Sequence, residues 1–203
     1  LRPFGIRKKR VDMAVDLAVE AQQTFKNNLL RITSETLNQN KLNGRLTIAL
    51  CGRPYHIDPL INHGIPELLT GFGVDVITED MIAMLEKQHL NDSNVLTQWS
   101  YTNRILATAK YISHQKNMEM VQLTSFGCGL DAISTDEAKD IIQKAGKIYS
   151  LIKIDEIANI GAARIRLRSM LEAVQEHREI EKKVKHRMST AYRNISNHRE
   201  RTI

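Results

Sequence analysis

The chain has 203 residues, of which 42% are hydrophobic and 26% charged, and its formal net charge is +6. That length and composition suit one α/β core with extra helix, and no stretch approaches the ~20 apolar residues of a membrane helix. The basic excess gathers in residues 177–203, with eight Lys/Arg against three Glu, and aromatic residues are only 5%; neither nucleic acid nor a membrane is expected as a partner.

In chain order, residues 8–37 carry helical spacing, with Val11, Val15, Ala18, Ala21 or Gln22, Phe25 and Leu29 three and four apart. Asn43-Gly44 breaks that helix. LTIALC (46–51) is a buried first strand. Asp58-Pro59 then starts a helix as cap and first residue, running to about Leu69, with a kink or break at Pro66. VDVIT (74–78) is a second strand, followed by a helix with an acidic first turn, Glu79-Asp80. A long helix is expected over Val95–Gln115, with Leu96, Trp99, Ile105, Leu106 and Ala109 on one face. EMVQLTSF (119–126) is a third strand. Ser134 with Glu137 three residues on forms a capping box for the next helix. KIYSLIKID (147–155) is a fourth strand, and a final helix begins near Gly161.

Strands alternate with helices four times, the pattern of a parallel sheet covered on both faces. The expected architecture is a flavodoxin-like (Rossmann-like) three-layer α/β domain with a four-stranded parallel sheet in the order 2-1-3-4. Its expected extent is residues 44–175, between an N-terminal helical segment, 1–43, and a charged C-terminal helix, 176–203. The two long terminal helices are candidates to pair with each other or, as a homodimer, with a second copy.

Two cysteines, Cys51 and Cys128, match no disulfide framework, which points to a reducing cytoplasm. The first ten residues are basic with no apolar run behind them, so no signal peptide is read, and an opening at Leu1 is read as the start of a fragment.

In an open α/β sheet, ligands bind outside the carboxyl ends of the strands. The segments expected there are CGRPYHIDP, TED, FGCGLD and IDEIANIGAA. Cys128 lies between Gly127 and Gly129 ahead of a helix, where a thiolate is stabilised. It suits a nucleophile, a metal ligand or a small buried residue, and the residues alone leave those readings open. Cys51 ends an apolar run and reads as core. Arg53 suits bidentate contact with a carboxylate or phosphate, and His56 suits proton movement near neutral pH; with Tyr55 they form a polar cluster just past the first strand. Against that stands a plain role for the three in capping local turns. His63 reads as structural, and Asp155-Glu156 as a helix cap. No P-loop or GxGxxG fingerprint is present.

GRPYHIDPLINHGIPELL, LTSFGCGLDAISTDE and KIYSLIKIDEIANIGAARIRLRS carry a resemblance over roughly residues 46–170. They resemble the large proteins related to activators of 2-hydroxyacyl-CoA dehydratases, the CoA-substrate-specific enzyme activases, in the part similar to the dehydratase's cluster-bearing component. The resemblance implies flavodoxin-like lobes that hold an iron–sulfur cluster through cysteines, in ATP-driven electron transfer within anaerobic metabolism. It implies Cys128 as a ligand to a 4Fe-4S-type cluster, with Gly127 and Gly129 admitting the cluster. It implies Arg53, Tyr55 and His56 beside the cluster or an acyl-CoA substrate. The remaining ligands and the ATPase activator domains would belong to other parts of the parent protein, so this fragment alone is expected to be inactive and to hold no cofactor. The alternative is a small-ligand module, for an anion or a CoA-type molecule, with no cluster.

Overall fold

The computed structural model describes residues 4–85, 98–125, 129–154 and 160–200. Its centre is a four-stranded parallel sheet, as the alternation of elements predicts, and its order is the expected flavodoxin-like β2-β1-β3-β4. The strands are β1 (Thr47–Cys51), β2 (Asp75–Thr78), β3 (Met118–Thr124) and β4 (Tyr149–Lys153). The helices are α1 (Lys8–Asn43), α2 (Pro59–Asn62), α3 (Ile65–Gly71), α4 (Glu79–Ala83), α5 (Ser100–Ser113), α6 (Gly129–Lys144) and α7 (Ile160–Glu200). A short 3-10 turn, Pro54–Ile57, follows β1.

Alternate strand residues face opposite layers. Ile48, Leu50, Val121, Leu123 and Ile152 pack against Ile65 and Leu69 of α3 and Ala163, Leu167 and Met170 of α7. Ala49, Cys51, Ile77, Met118 and Met120 pack against α4, α5 and α6 through Ile82, Ile105, Leu106, Ala109, Ala138 and Ile142. Both faces are covered, which is why β1 and β3 are buried along their whole length.

The helix boundaries show where local signals were overruled. The expected break near Pro66 occurs at His63-Gly64, both with positive φ (54° and 75°), and Pro66 opens α3 in its first turn. Asp58 caps α2 as expected, accepting from Leu60 N–H at 2.8 Å. The capping box read at Ser134 is not used: α6 starts at Gly129, and the Ser134 hydroxyl donates to Asp131 O inside the helix at 3.1 Å. Burial of Ser134 and Glu137 in the layer over the sheet outweighs their preference for a helix start. Of the helix expected over 95–115, α5 covers Ser100–Ser113, Trp99 precedes it, and residues 95–97 lie outside the described residues.

α1 is a continuous helix that ends at Gly44, in the left-handed conformation (φ 66°). Its C-terminal part docks on the domain, where buried Asn40 donates to Thr47 Oγ1 at 2.8 Å. Its earlier turns leave Met13, Val15, Leu17, Val19 and Phe25 exposed. α7 packs on the sheet through Leu167 and Met170 and continues outward, with Ile180, Val184 and Met188 exposed. No helix among the described residues is long and apolar enough to cross a membrane.

Candidate functional site at the strand ends

The carboxyl ends of β1 and β3 are neighbours, with Cys51 opposite Gln122 in the ladder. The segment after β1 bends sharply at Gly52 into the 3-10 turn, which carries Tyr55 and His56 back over the end of β3. Gly52 is required by packing: a Cβ there would lie 2.4 Å from His56 Nδ1.

His56 is 3% exposed and ties the two strand ends together. Its Nδ1 accepts the Arg53 backbone N–H at 3.0 Å. Its Nε2 shares a hydrogen bond with Ser125 Oγ at 3.0 Å, and the ring also has a backbone hydrogen-bond partner in Leu123. Ser125 Oγ also stands 3.0 Å from the Tyr55 hydroxyl. Burial pushes the His56 pKa below the ordinary value, against the opposing pull of the Asp131 carboxylate.

Arg53 reaches across to α6. Its Nε and Nη2 both donate to Asp131 Oδ1, at 3.1 and 2.9 Å, and its guanidinium lies over the Tyr101 ring, 5.5 Å from the centroid. The Asp131 hydrogen bond raises the Arg53 pKa and keeps the cation charged. The second Asp131 oxygen, Oδ2, is buried without a donor among the described residues.

Glu79, in the first turn of α4, completes the edge beside β1. It is buried, its carboxyl accepts from the Gly52 N–H, and Arg104 stands 3.8 Å away. Burial raises its pKa to about 7. Cys51 is fully enclosed in the core, with Sγ 3.7 Å from Ala49 O, and burial, then Glu79, pushes its thiol well up. It is a packed thiol, as its place at the end of an apolar run predicts.

Three residues singled out from sequence, Arg53, Tyr55 and His56, thus meet at one edge, Arg53 and His56 held by hydrogen bonds and Tyr55 partly exposed. Gly129 begins α6 at the same edge. Gly127, Cys128, Asp155 and Glu156 lie outside the described residues. His63 ends α2 in the left-handed conformation. Sequence reasoning placed Gly52, Glu79 and Asp131 at this edge, within CGRPYHIDP, TED and FGCGLD, without giving them a role, and missed Ser125 and Tyr101. Ser125 and Asp131 do flank FGCG, but a single serine or aspartate at a strand end or helix start carries no signal of the partner it meets from another segment.

Fold and site together define an open parallel α/β domain with a polar, hydrogen-bonded site at its strand ends. Residues 1–82 match the family model described as CoA enzyme activase uncharacterised domain (DUF2229). The match spans α1 through most of α4 and takes in Arg53, Tyr55 and His56 but not Ser125 or Asp131. It supports the resemblance to the CoA enzyme activases. Comparison with curated proteins found no match, and neither did comparison with solved structures.

Proposed function

We propose that this chain is one lobe of a CoA enzyme activase-type protein, and that the strand-end edge is its working surface. One observation carries this: the turn after β1 and the exit of β3 are locked together through His56 and Ser125, while Arg53 joins the same turn to the start of α6. A polar lattice at the switch-point edge of a parallel sheet is the usual place for a ligand. The activase match over residues 1–82 supports a CoA-type ligand there.

An iron–sulfur cluster is the second reading, favoured by Cys128 between glycines three residues beyond Ser125. The described residues do not complete a ligand set for it. No group of three or more His, Cys, Asp or Glu that could hold a metal stands among them, and Cys51 is a buried thiol with a raised pKa. Cys128 would be this chain's contribution, with the other ligands from elsewhere in the parent protein. A cluster there would supply low-potential electron transfer to a substrate.

The deciding measurement is iron and acid-labile sulfide in the anaerobically purified parent protein, wild type beside Cys128→Ala. Loss of both in the variant supports the cluster. Equal content excludes Cys128 as a ligand. Absence from both proteins leaves the CoA-type binding lobe.

A further inference from the structure

Among the described residues, 12–28 of α1 are exposed throughout, and α1 meets its own domain from Leu29 onward, through buried Thr33 and Asn40. A helix standing free in water over that length has little to hold it. Helical stability in proteins comes mostly from a packed face, and Val11, Val15 and Val19 are β-branched. The free stretch nevertheless carries a seam. Val11, Val15, Ala18, Gln22, Phe25 and Leu29 follow one another at steps of four, three, four, three and four. That is the heptad step of a helix packed lengthwise on another helix.

The two ends of the seam differ in size. At the N-terminal end, Ile6, Val11, Ala14, Val15 and Ala18 line an open hollow of about 600 Å³. At the C-terminal end stands Phe25, 62% exposed. A parallel pair of such helices sets Phe25 against Phe25 and leaves both hollows unfilled. An antiparallel pair sets Phe25 of each copy against Val15 of the other, Leu29 against Val11 and Gln22 against Ala18. Large side chains then meet small ones along the whole seam.

The charges beside the seam select the same orientation. Asp12 and Lys26 occupy equivalent flanking positions two heptads apart, each directly after a seam residue, Val11 and Phe25. Neither forms an ion pair among the described residues. In the antiparallel pair Asp12 of each copy stands beside Lys26 of the other, and Val19 stands beside Val19 on the two-fold axis between them. In a parallel pair Asp12 is level with Asp12 and Lys26 with Lys26.

We propose that the free half of α1 is an assembly surface, and that its occupant is α1 of a second copy of this chain, paired antiparallel about a two-fold axis over residues 11–29. Both halves of each contact stand on one chain: the hollow and the Phe25 that fills it, Asp12 and the Lys26 that matches it. That self-complementarity is what a two-fold interface requires. Leu29 ends the seam, because beyond it α1 is engaged by its own domain. The pairing is independent of what binds at the strand ends.

The test is sedimentation equilibrium of the 203-residue chain, with a dimer expected. Phe25→Asp should raise its dissociation constant roughly a hundredfold or more, since each copy loses a buried aromatic ring. Asp12→Lys and Lys26→Asp each bring like charges together and should weaken the dimer about fivefold. The double variant Asp12→Lys/Lys26→Asp should restore the wild-type constant. Orientation is read with a short bis-maleimide: it should link Val19→Cys into dimers beyond the wild-type level, and should not link Phe25→Cys. Circular dichroism checks that each variant folds. A monomer at every concentration, or an assembly of other than two copies, overturns the proposal, as does a dimer indifferent to Phe25→Asp. Linkage through Phe25→Cys overturns the antiparallel order. A double variant as weak as the single ones overturns the pairing of Asp12 with Lys26.

Discussion

Gly52 and His56 are in contact so close that no side chain fits between them: a Cβ on Gly52 would lie 2.4 Å from His56 Nδ1 and 3.1 Å from Leu123 O. Gly52→Ala must therefore displace the imidazole and break its bond from the Arg53 amide. The expected cost is about 2 kcal/mol, as for overpacking elsewhere in a core. Urea denaturation measures it, and an unchanged midpoint would show that the turn relaxes freely.

Glu79 makes stability depend on pH in one direction. Its carboxyl titrates near 7 in the folded chain against 4.5 in the unfolded one, so the folded state holds the extra proton between those values. Stability from this group is complete below about pH 4.5 and falls as pH rises through 7. His56, with its folded pKa lowered from 6.5, acts oppositely, and its contribution is lost as pH falls below 6.5. Glu79→Gln keeps an acceptor for the Gly52 N–H and removes the ionisation. Relative to wild type it should gain stability from pH 5 to pH 8, by at most something on the order of 3 kcal/mol. Parallel profiles for the two proteins would refute the assignment.

Arg53 and Asp131 bind the β1 turn to α6, with side chains 26% and 9% exposed. Asp131→Asn leaves a partly buried guanidinium without its carboxylate and should cost about 1–3 kcal/mol, less than a fully buried pair because water still reaches Arg53. A double-mutant cycle with Arg53→Lys should give a favourable coupling that salt only partly screens. Additive losses would mean that the contact contributes nothing.

The other end of the sheet has its own buried charge. Glu119 takes the Lys147 ammonium at 3.4 Å on one oxygen and the Ile148 N–H at 3.1 Å on the other, while Lys147 also donates to Met118 O at 2.8 Å. Glu119→Ala strands Lys147 and the Ile148 amide where β4 joins β3. A loss of roughly 3 kcal/mol is expected. Faster hydrogen exchange should concentrate at Ile148 and along β4; uniform change across the sheet would contradict a local role.

Much of the fold was legible along the chain. Val, Ile and Leu runs marked the strands, Asn43-Gly44 stopped α1, and Asp58-Pro59 started α2, because each signal acts through near neighbours in sequence. The α6 boundary was misread because Ser134 and Glu137 are equally good at a helix start and in a buried layer, and only packing over β3 chooses between them. The α1 stripe of Val11, Val15 and Phe25 was legible as helix, yet Val15 and Phe25 remain exposed because α1 meets the domain only in its later turns.

The candidate site divides in the same way. Sequence alone determined that the segments after β1 and β3 lie at one edge, since alternation and parallel order require it, and that Arg53, Tyr55 and His56 belong there. Tertiary structure decided what each does. Asp131, 78 positions from Arg53, engages its guanidinium, and Ser125, 69 positions from His56, hydrogen-bonds its ring. Those partners are set by how β1, β3 and α6 pack, and burial follows from that packing, whereas the strands themselves follow from the local pattern of apolar residues.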